Sequence, residues 1–391
     1  MAFELRQSVW EIIKPLTEDA DPTPEDEAIF GGSNMDPVTY SINTTRGEAM
    51  HTLVKYALWV RRHFEKQADA DRLVSRGFDE MPEVREVLDI HLNPERDPSL
   101  AIRAVYGQGF PHLFLLDPRW AGNNVSRIFP REPGMEALRD AAWEAYILWC
   151  KPYDDVANIL AEEYKGAIDR IGSGSSDDRR RADVDKHLAE HLVLLYTRGK
   201  LDYDEPGGLL QRFYSKATGE IRKRAFEFIG ADIYKYPVPL QDATVERLRQ
   251  LWIRRMREAT RAQSIEEFLP EMIPFGWWFA SGKFDDVWAM EQLKAVVKLA
   301  GKVMLSWRVV ERLAEIAKSR PLDALECLRV MIQADREGLE IYGWRKHART
   351  LLSTALETSD EKTRRSAEDL VDRLIQRGHL DFRDLLRRQE Q

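Results

Sequence analysis

Apolar residues recur along this chain at steps of three, four and seven, and almost nowhere at steps of two. The first spacing marks one face of a helix, and the second would mark a strand. The pattern is plainest in DPVTYSINTTRGEAMHTLVKYALWVRRH, residues 36–63. There Ile42, Ala49, Leu53, Ala57 and Val60, with Phe64 just beyond, share one face. One long helix is predicted, with the rest of the chain organised around it. Asp36 is placed to accept the first free amides, and Pro37 sits where a missing N–H costs nothing. Gly47 costs a helix about 1 kcal/mol relative to Ala, so its bare side implies close approach of another backbone.

The same period predicts helices over 3–14, 81–92, 98–106, 135–150, 153–171, 184–196, 208–214, 219–228 and 243–261. Asp97-Pro98 and Asp117-Pro118 repeat the start signal of Asp36-Pro37. FPHLFLLDPRW, residues 110–120, is apolar enough for a strand but reads as a buried helix, because a helix start follows it. In 135–150 the predicted face is Leu138, Ala142, Ala145 and Trp149. The last third is the most regular, with helices over 264–272, 285–300, 306–319, 322–334, 344–356 and 360–377 and a short cap at 380–386.

Between these lie three irregular stretches. Residues 18–35 carry Glu18, Asp19, Asp21, Glu25, Asp26 and Glu27 with no basic residue. They read as an exposed connector, the alternative being an acidic tail that mimics a ligand or binds metal. GSGSSDDRRR, from Gly172, reads as a flexible loop. YPVPL, 236–240, reads as an extended joint. The expected organisation is an N-terminal helix and connector (1–35), a helical part (36–171), a loop (172–182) and a second helical part (183–391). No Asn-Gly or Asp-Gly hairpin occurs. The fold class is therefore all-α, read as an irregular HEAT- or armadillo-like α-solenoid of antiparallel helix pairs. Two helical bundles meeting near residue 175 are the competing arrangement.

With 43% hydrophobic and 32% charged residues, a sizeable core and a well-solvated surface are both expected. The net charge of −8 argues against a dedicated nucleic-acid binder, though not against a local basic face. The two cysteines, Cys150 and Cys327, fall in helical patterns and read as buried thiols. The N-terminus lacks a leader pattern, and no run reaches the ~18 apolar residues of a membrane span. A cytoplasmic protein without a membrane segment is expected.

The sharpest catalytic pattern is His187-Leu-Ala-Glu190-His191, the HxxEH spacing of some zinc peptidases. It would put His187 and His191 on one helical face, with Glu190 polarising a metal-bound water. A zinc-dependent hydrolase is thus an alternative, but Leu188, Leu192 and Leu195 beside the histidines make an ordinary core stripe, so no cofactor is assigned. Residues 212–261 hold twelve basic and six acidic residues. Within them Arg247, Arg254, Arg257 and Arg261 fall roughly on one helix side, a candidate nucleic-acid face. The acidic groups Asp154-Asp155, Asp202 to Glu205 and Asp285-Asp286 lie at helix starts and read as caps. Phosphate-loop and serine-elbow motifs are absent. FGWWF, with Trp277 and Trp278, and Trp344 in IYGWRKHAR are the candidate partner contacts, together with Arg254.

Five stretches, DPVTYSINTTRGEAMHTLVKYALW, AAWEAYILWCKPYDDV, GWWFASGKFDDVWAMEQL, IYGWRKHARTLL and LIQRGHLDFRDLL, resemble the C-terminal helical region of very large bacterial proteins. Those proteins carry an NTPase or other effector module in their N-terminal part and are associated with antiviral defence. The resemblance covers residues 36–386 and consists of packing motifs, so it implies no active-site residue. It implies a helical-repeat scaffold, or a sensor and regulatory region, that binds a protein partner such as a separately encoded effector NTPase.

Overall fold

Asp36, Asp117, Asp285 and Asp360 each accept a backbone N–H two or three residues on, and each opens a helix. Local caps of this kind punctuate a chain that is all-α. In the computed structural model residues 2–31, 35–172 and 179–387 are described, and among them no strand occurs. No helix of the described residues is long and apolar enough to cross a membrane. Residues 173–178, the core of the expected flexible loop, lie outside the described residues. The chain divides into two units, Met1–His191 and Leu192–Gln391, and the division falls inside one helix, Arg179–Thr197.

The first unit contains α1 (Arg6–Thr17), α2 (Pro24–Gly31), α3 (Pro37–Ser41), α4 (Thr45–Phe64), α5 (Ala70–Ser75), α6 (Pro82–His91) and α7 (Leu100–Leu116). There follow α8 (Pro118–Asn123), α9 (Val125–Ile128), α10 (Glu136–Trp149), α11 (Asp154–Ile159) and α12 (Ala161–Asp169), and then α13 (Arg179–Thr197), whose residues up to His191 belong to this unit. Its organising element is α7 and not the expected 36–63 helix. Helix α7 packs on α3, α4, α8, α9 and α10 and is buried on nearly every side. A Cβ on Gly107 would overlap the Ala142 carbonyl, so the backbones of α7 and α10 touch there. That contact explains why Gly107 and Pro111 do not split the segment, although 98–106 and 110–120 read as separate helices. Tertiary packing outweighs the propensity cost.

Residues 36–63 form two helices, broken at Ile42, which is 53% exposed instead of buried. The close approach expected at Gly47 is real, but its partner is the Ser41 carbonyl of the same bend. Trp149, placed by periodicity on the buried face of α10, is 57% exposed because the helix ends there. The expected connector is partly helical (α2) and is docked. Arg46 donates to the carbonyls of Asp19 (2.6 Å) and Pro22 (2.8 Å), and Thr45 N donates to Asp21 (2.6 Å).

The second unit holds α14 (Leu209–Lys216), α15 (Gly219–Lys235), α16 (Asp242–Arg261), α17 (Leu269–Met272), α18 (Phe275–Ala280) and α19 (Asp286–Ala300). It continues with α20 (Ser306–Ile316), α21 (Pro321–Ala334), α22 (Ile341–Leu356), α23 (Glu361–Gln376) and α24 (Asp384–Arg387). Helix packing here runs between close sequence neighbours. Helix α15 meets α17 and α18, α18 meets α19 and α20, α19 meets α21, and α20 to α23 each meet the next one or two. The aromatic rings of Phe226, Trp252, Phe275, Trp278 and Phe284 form one cluster, with centroids 4.5 Å apart for Trp252–Phe275 and 5.6 Å for Trp278–Phe284.

Candidate functional site

The HxxEH residues sit on α13, but their imidazoles do different things. His187 Nδ1 donates to its own helix at the Asp183 carbonyl, 2.8 Å away. His191 is buried, with Nε2 2.8 Å from the Cys150 carbonyl and Nδ1 2.8 Å from the Tyr164 hydroxyl. A carbonyl can only accept, so Nε2 carries the proton and Nδ1 accepts from Tyr164. Neither nitrogen of His191 retains a lone pair for a metal. Tyr164 also meets the Tyr146 hydroxyl at 3.1 Å, and burial raises both phenols above their usual range. Among the described residues, no three His, Cys, Asp or Glu side chains are gathered to hold a metal ion. The zinc reading of His187, Glu190 and His191 is therefore corrected. The motif is a polar seam of a helical core.

The basic stretch divides into an inside and an outside. Arg222 and Arg255 are 3% and 2% exposed and grip Glu271, which is fully buried. Arg222 Nε lies 2.9 Å from one carboxylate oxygen and Arg255 Nη2 2.8 Å from the other. Phe268 lies between the two guanidinium groups, 4.9 and 5.1 Å from its ring centre, and Tyr214 stacks on Arg255 at 4.5 Å. Burial pushes the Glu271 carboxyl up, and the two arginines pull against that. Sequence gave no sign of this triad, because its members lie 49 and 16 residues apart.

On the outside, Arg254 pairs with Asp204 and covers the Tyr203 ring at 4.4 Å. Arg247 lies against Gly199, while Arg257 and Arg261 are exposed. The groove here, about 710 Å³, is lined by Lys200, Arg247, Arg254 and Arg257 but also by Asp202, Asp204 and Glu205. A phosphate backbone binds by exchanging its condensed counterions for Lys and Arg side chains that the protein leaves unneutralised. The carboxylates of the 202–205 loop oppose that.

The expected partner contacts are also largely internal. Trp278 and Trp344 are 0% and 1% exposed, and Trp278 Nε1 donates to the Phe226 carbonyl at 3.0 Å. Trp277 is half-buried, with its ring 5.5 Å from Tyr234. Trp278 and Trp344 hold helices together, which corrects their assignment as partner contacts.

One constellation escaped the sequence reading. In the first unit a cavity of about 670 Å³ lies among α6, the start of α7 and the acidic segment. His91 ends α6 and is 7% exposed, and its Nδ1 donates to Asp97 Oδ2 at 2.7 Å. Asp97 Oδ1 accepts from Ser99 N at 3.2 Å, and Arg46 Nε approaches Oδ2 to 3.3 Å. Asp97 was read as the cap of the next helix, but Ser99 caps it, accepting from Ile102 N at 3.1 Å. Glu27 of α2 completes that helix start, accepting from Ser99 Oγ (2.5 Å), Leu100 N (3.0 Å) and Ala101 N (2.9 Å). The available signal was a histidine at a helix end six residues before an aspartate, too common a pattern to single out. Models of known protein families give no match to this chain, and neither do the curated proteins.

Proposed function

We propose that this chain is a non-catalytic helical-repeat scaffold, an irregular α-solenoid of the HEAT or armadillo kind, that binds a protein partner. The observation that carries this reading is the packing from α15 to α23, where the most extensive helix–helix contacts join helices close in sequence. Stacked repeats pack in that quasi-one-dimensional way. The spent lone pairs of His191 support it too, since a motif that looked reactive is employed in packing. The resemblance to the C-terminal part of bacterial defence effectors favours a sensor or regulatory arm in the cytoplasm, with the chemistry on a separately encoded NTPase.

The contact surface on this reading moves from the tryptophans to the start of α22 and the turn after α23. Leu339, Tyr342 and Leu380 are 62%, 62% and 58% exposed. Tyr342 lies 5.6 Å from the His379 ring and under the Arg345 guanidinium at 4.6 Å. Exposed Tyr and Arg beside apolar side chains suit the centre of an interface. Co-expression with a candidate effector NTPase should give a stoichiometric complex on gel filtration. Tyr342→Asp with Leu380→Asp should weaken that complex about tenfold or more, roughly 1.4 kcal/mol, with unchanged helical circular dichroism. Turnover of a nucleotide or peptide substrate by the isolated chain would overturn the reading, as would a complex indifferent to both substitutions.

A further inference from the structure

We propose that the groove between the loop 199–205 and α16 binds a small zwitterion, a molecule that carries a carboxylate at one end and an ammonium group at the other. The site lies within the second unit and does not depend on the scaffold reading.

Its cationic end is Arg247. This side chain is half-buried and lines the groove, and its guanidinium has no hydrogen-bond or ion-pair partner among the described residues. Gly199 makes room for it. A Cβ at that position would overlap Nη2 and Cζ of Arg247, so the guanidinium lies where a side chain would otherwise stand. The Tyr196 hydroxyl donates to the Arg247 carbonyl at 2.8 Å and holds α16 beside the same turn. A cation pressed against protein loses part of its water and needs an acceptor in exchange. The planar guanidinium fork matches a carboxylate.

The anionic end is the loop. Asp202 and Glu205 line the same groove, are exposed, and pair with no cation among the described residues. Asp202 Oδ1 accepts from Asp204 N at 2.9 Å, which sets the turn of the loop. Between the two ends Arg254 and Asp204 neutralise each other, with the Arg254 guanidinium 4.4 Å from the Tyr203 ring centre. Arg247 and Asp202 act on the Tyr196 phenol with opposite signs, so both lie within electrostatic reach of one side chain. Yet no ion pair joins them. The fold holds unpaired charges of both signs apart across one groove.

Simpler ligands fit this pattern badly. A lone anion drawn to Arg247 would be repelled by Asp202 and Glu205, and a lone cation drawn to those would be repelled by Arg247 and Arg257. A bare metal ion lacks a coordination group, since no three ligating side chains converge among the described residues. A zwitterion answers both ends at once. Leu201 and Ile253 supply apolar wall for the carbons between its charges, and the groove of about 710 Å³ has the size of a small-molecule site.

Titration calorimetry of the full chain at low ionic strength tests the proposal. The probes are glycine, 6-aminohexanoate and triglycine, with acetate and methylammonium as half-ligand controls. The last two zwitterions carry well-separated charges, one on an alkyl chain and one on a peptide backbone. At least one of the three should bind saturably at one site, about tenfold or more tighter than either control. Arg247→Gln should weaken that binding about tenfold, and Arg247→Lys, which keeps the charge without the fork, should weaken it less. Asp202→Asn with Glu205→Gln should weaken it by a similar factor, at exposed positions that leave the fold untouched. Preference for triglycine identifies a peptide as the source of the zwitterion, and preference for either of the others a free small molecule. No saturable binding of any of the three, a control that binds as tightly, or binding indifferent to the double variant would overturn the proposal.

Discussion

In the first unit a single helix, α7, touches α3, α4, α8, α9 and α10, while in the second the most extensive contacts from α15 to α23 join near neighbours in sequence. The first arrangement gathers its contacts on one apolar rod, with Tyr106, Phe110 and Leu113 each 1% exposed or less. The second distributes them along the chain. A defect in α7 should therefore be felt by elements far apart in sequence, and a defect in the stack should stay beside its origin. Stability is seldom uniform across a structure, and hydrogen exchange reports where it is spent.

The largest expected effect is in the second unit. Glu271→Ala leaves Arg222 and Arg255 buried without their shared carboxylate. Breaking a buried ion pair by removing one partner costs about 3–5 kcal/mol. Denaturant titration should show that loss, and exchange protection should fall in α15, α16 and α17 while α21 to α23 keep theirs. Loss of protection throughout the stack would remove the contrast between the units. Next is Gly107→Ala, which drives a methyl into the Ala142 carbonyl. Overpacking of this kind costs roughly 1–3 kcal/mol. Here α3, α4 and α10 should all lose protection together, despite lying far apart in sequence. An effect confined to α7 and α10 would show that α7 is no hub.

The smallest expected effect compares one carboxylate from each unit. Asp36 is held below the usual carboxylate range, burial opposing but hydrogen bonds from Thr39 and Val38 prevailing. Asp369 is held low by the Arg329 hydrogen bond, with Arg373 adding to it against some burial. For both, the unfolded chain binds more protons than the folded one between the lowered pKa and about 3.9. Each stabilising contribution should be complete above about pH 4 and lost as pH falls through the lowered value. Acid titration of Asp36→Asn and Asp369→Asn should each flatten that limb. A variant with the parent's acid limb would remove its carboxylate from the account.

Much of the fold was legible because its signals are local. The Asp-Pro start at Asp117 and the Asp285 and Asp360 caps fix helix starts from two or three adjacent residues. What was misread depends on who stands opposite. Ile42 fits the period of its neighbours, yet the bend after Ser41 turns it outward. Trp278 and Trp344 look like interface anchors until neighbouring helices cover them. Arg222 and Arg255 counted as surface charge because Glu271 is distant in sequence. The candidate site fared worst. His91 and Asp97 are close in sequence, but the cavity beside them exists only because the acidic segment docks across the chain.

The two thiols bear on how this molecule can be studied. Burial pushes both Cys150 and Cys327 up to about 12, and each donates to a carbonyl, Gln108 and Met290 respectively. At neutral pH almost no thiolate exists to attack an electrophile. A cysteine introduced at exposed Tyr342 would thus take up a fluorophore or spin label selectively, without first stripping the native sulfurs from the chain.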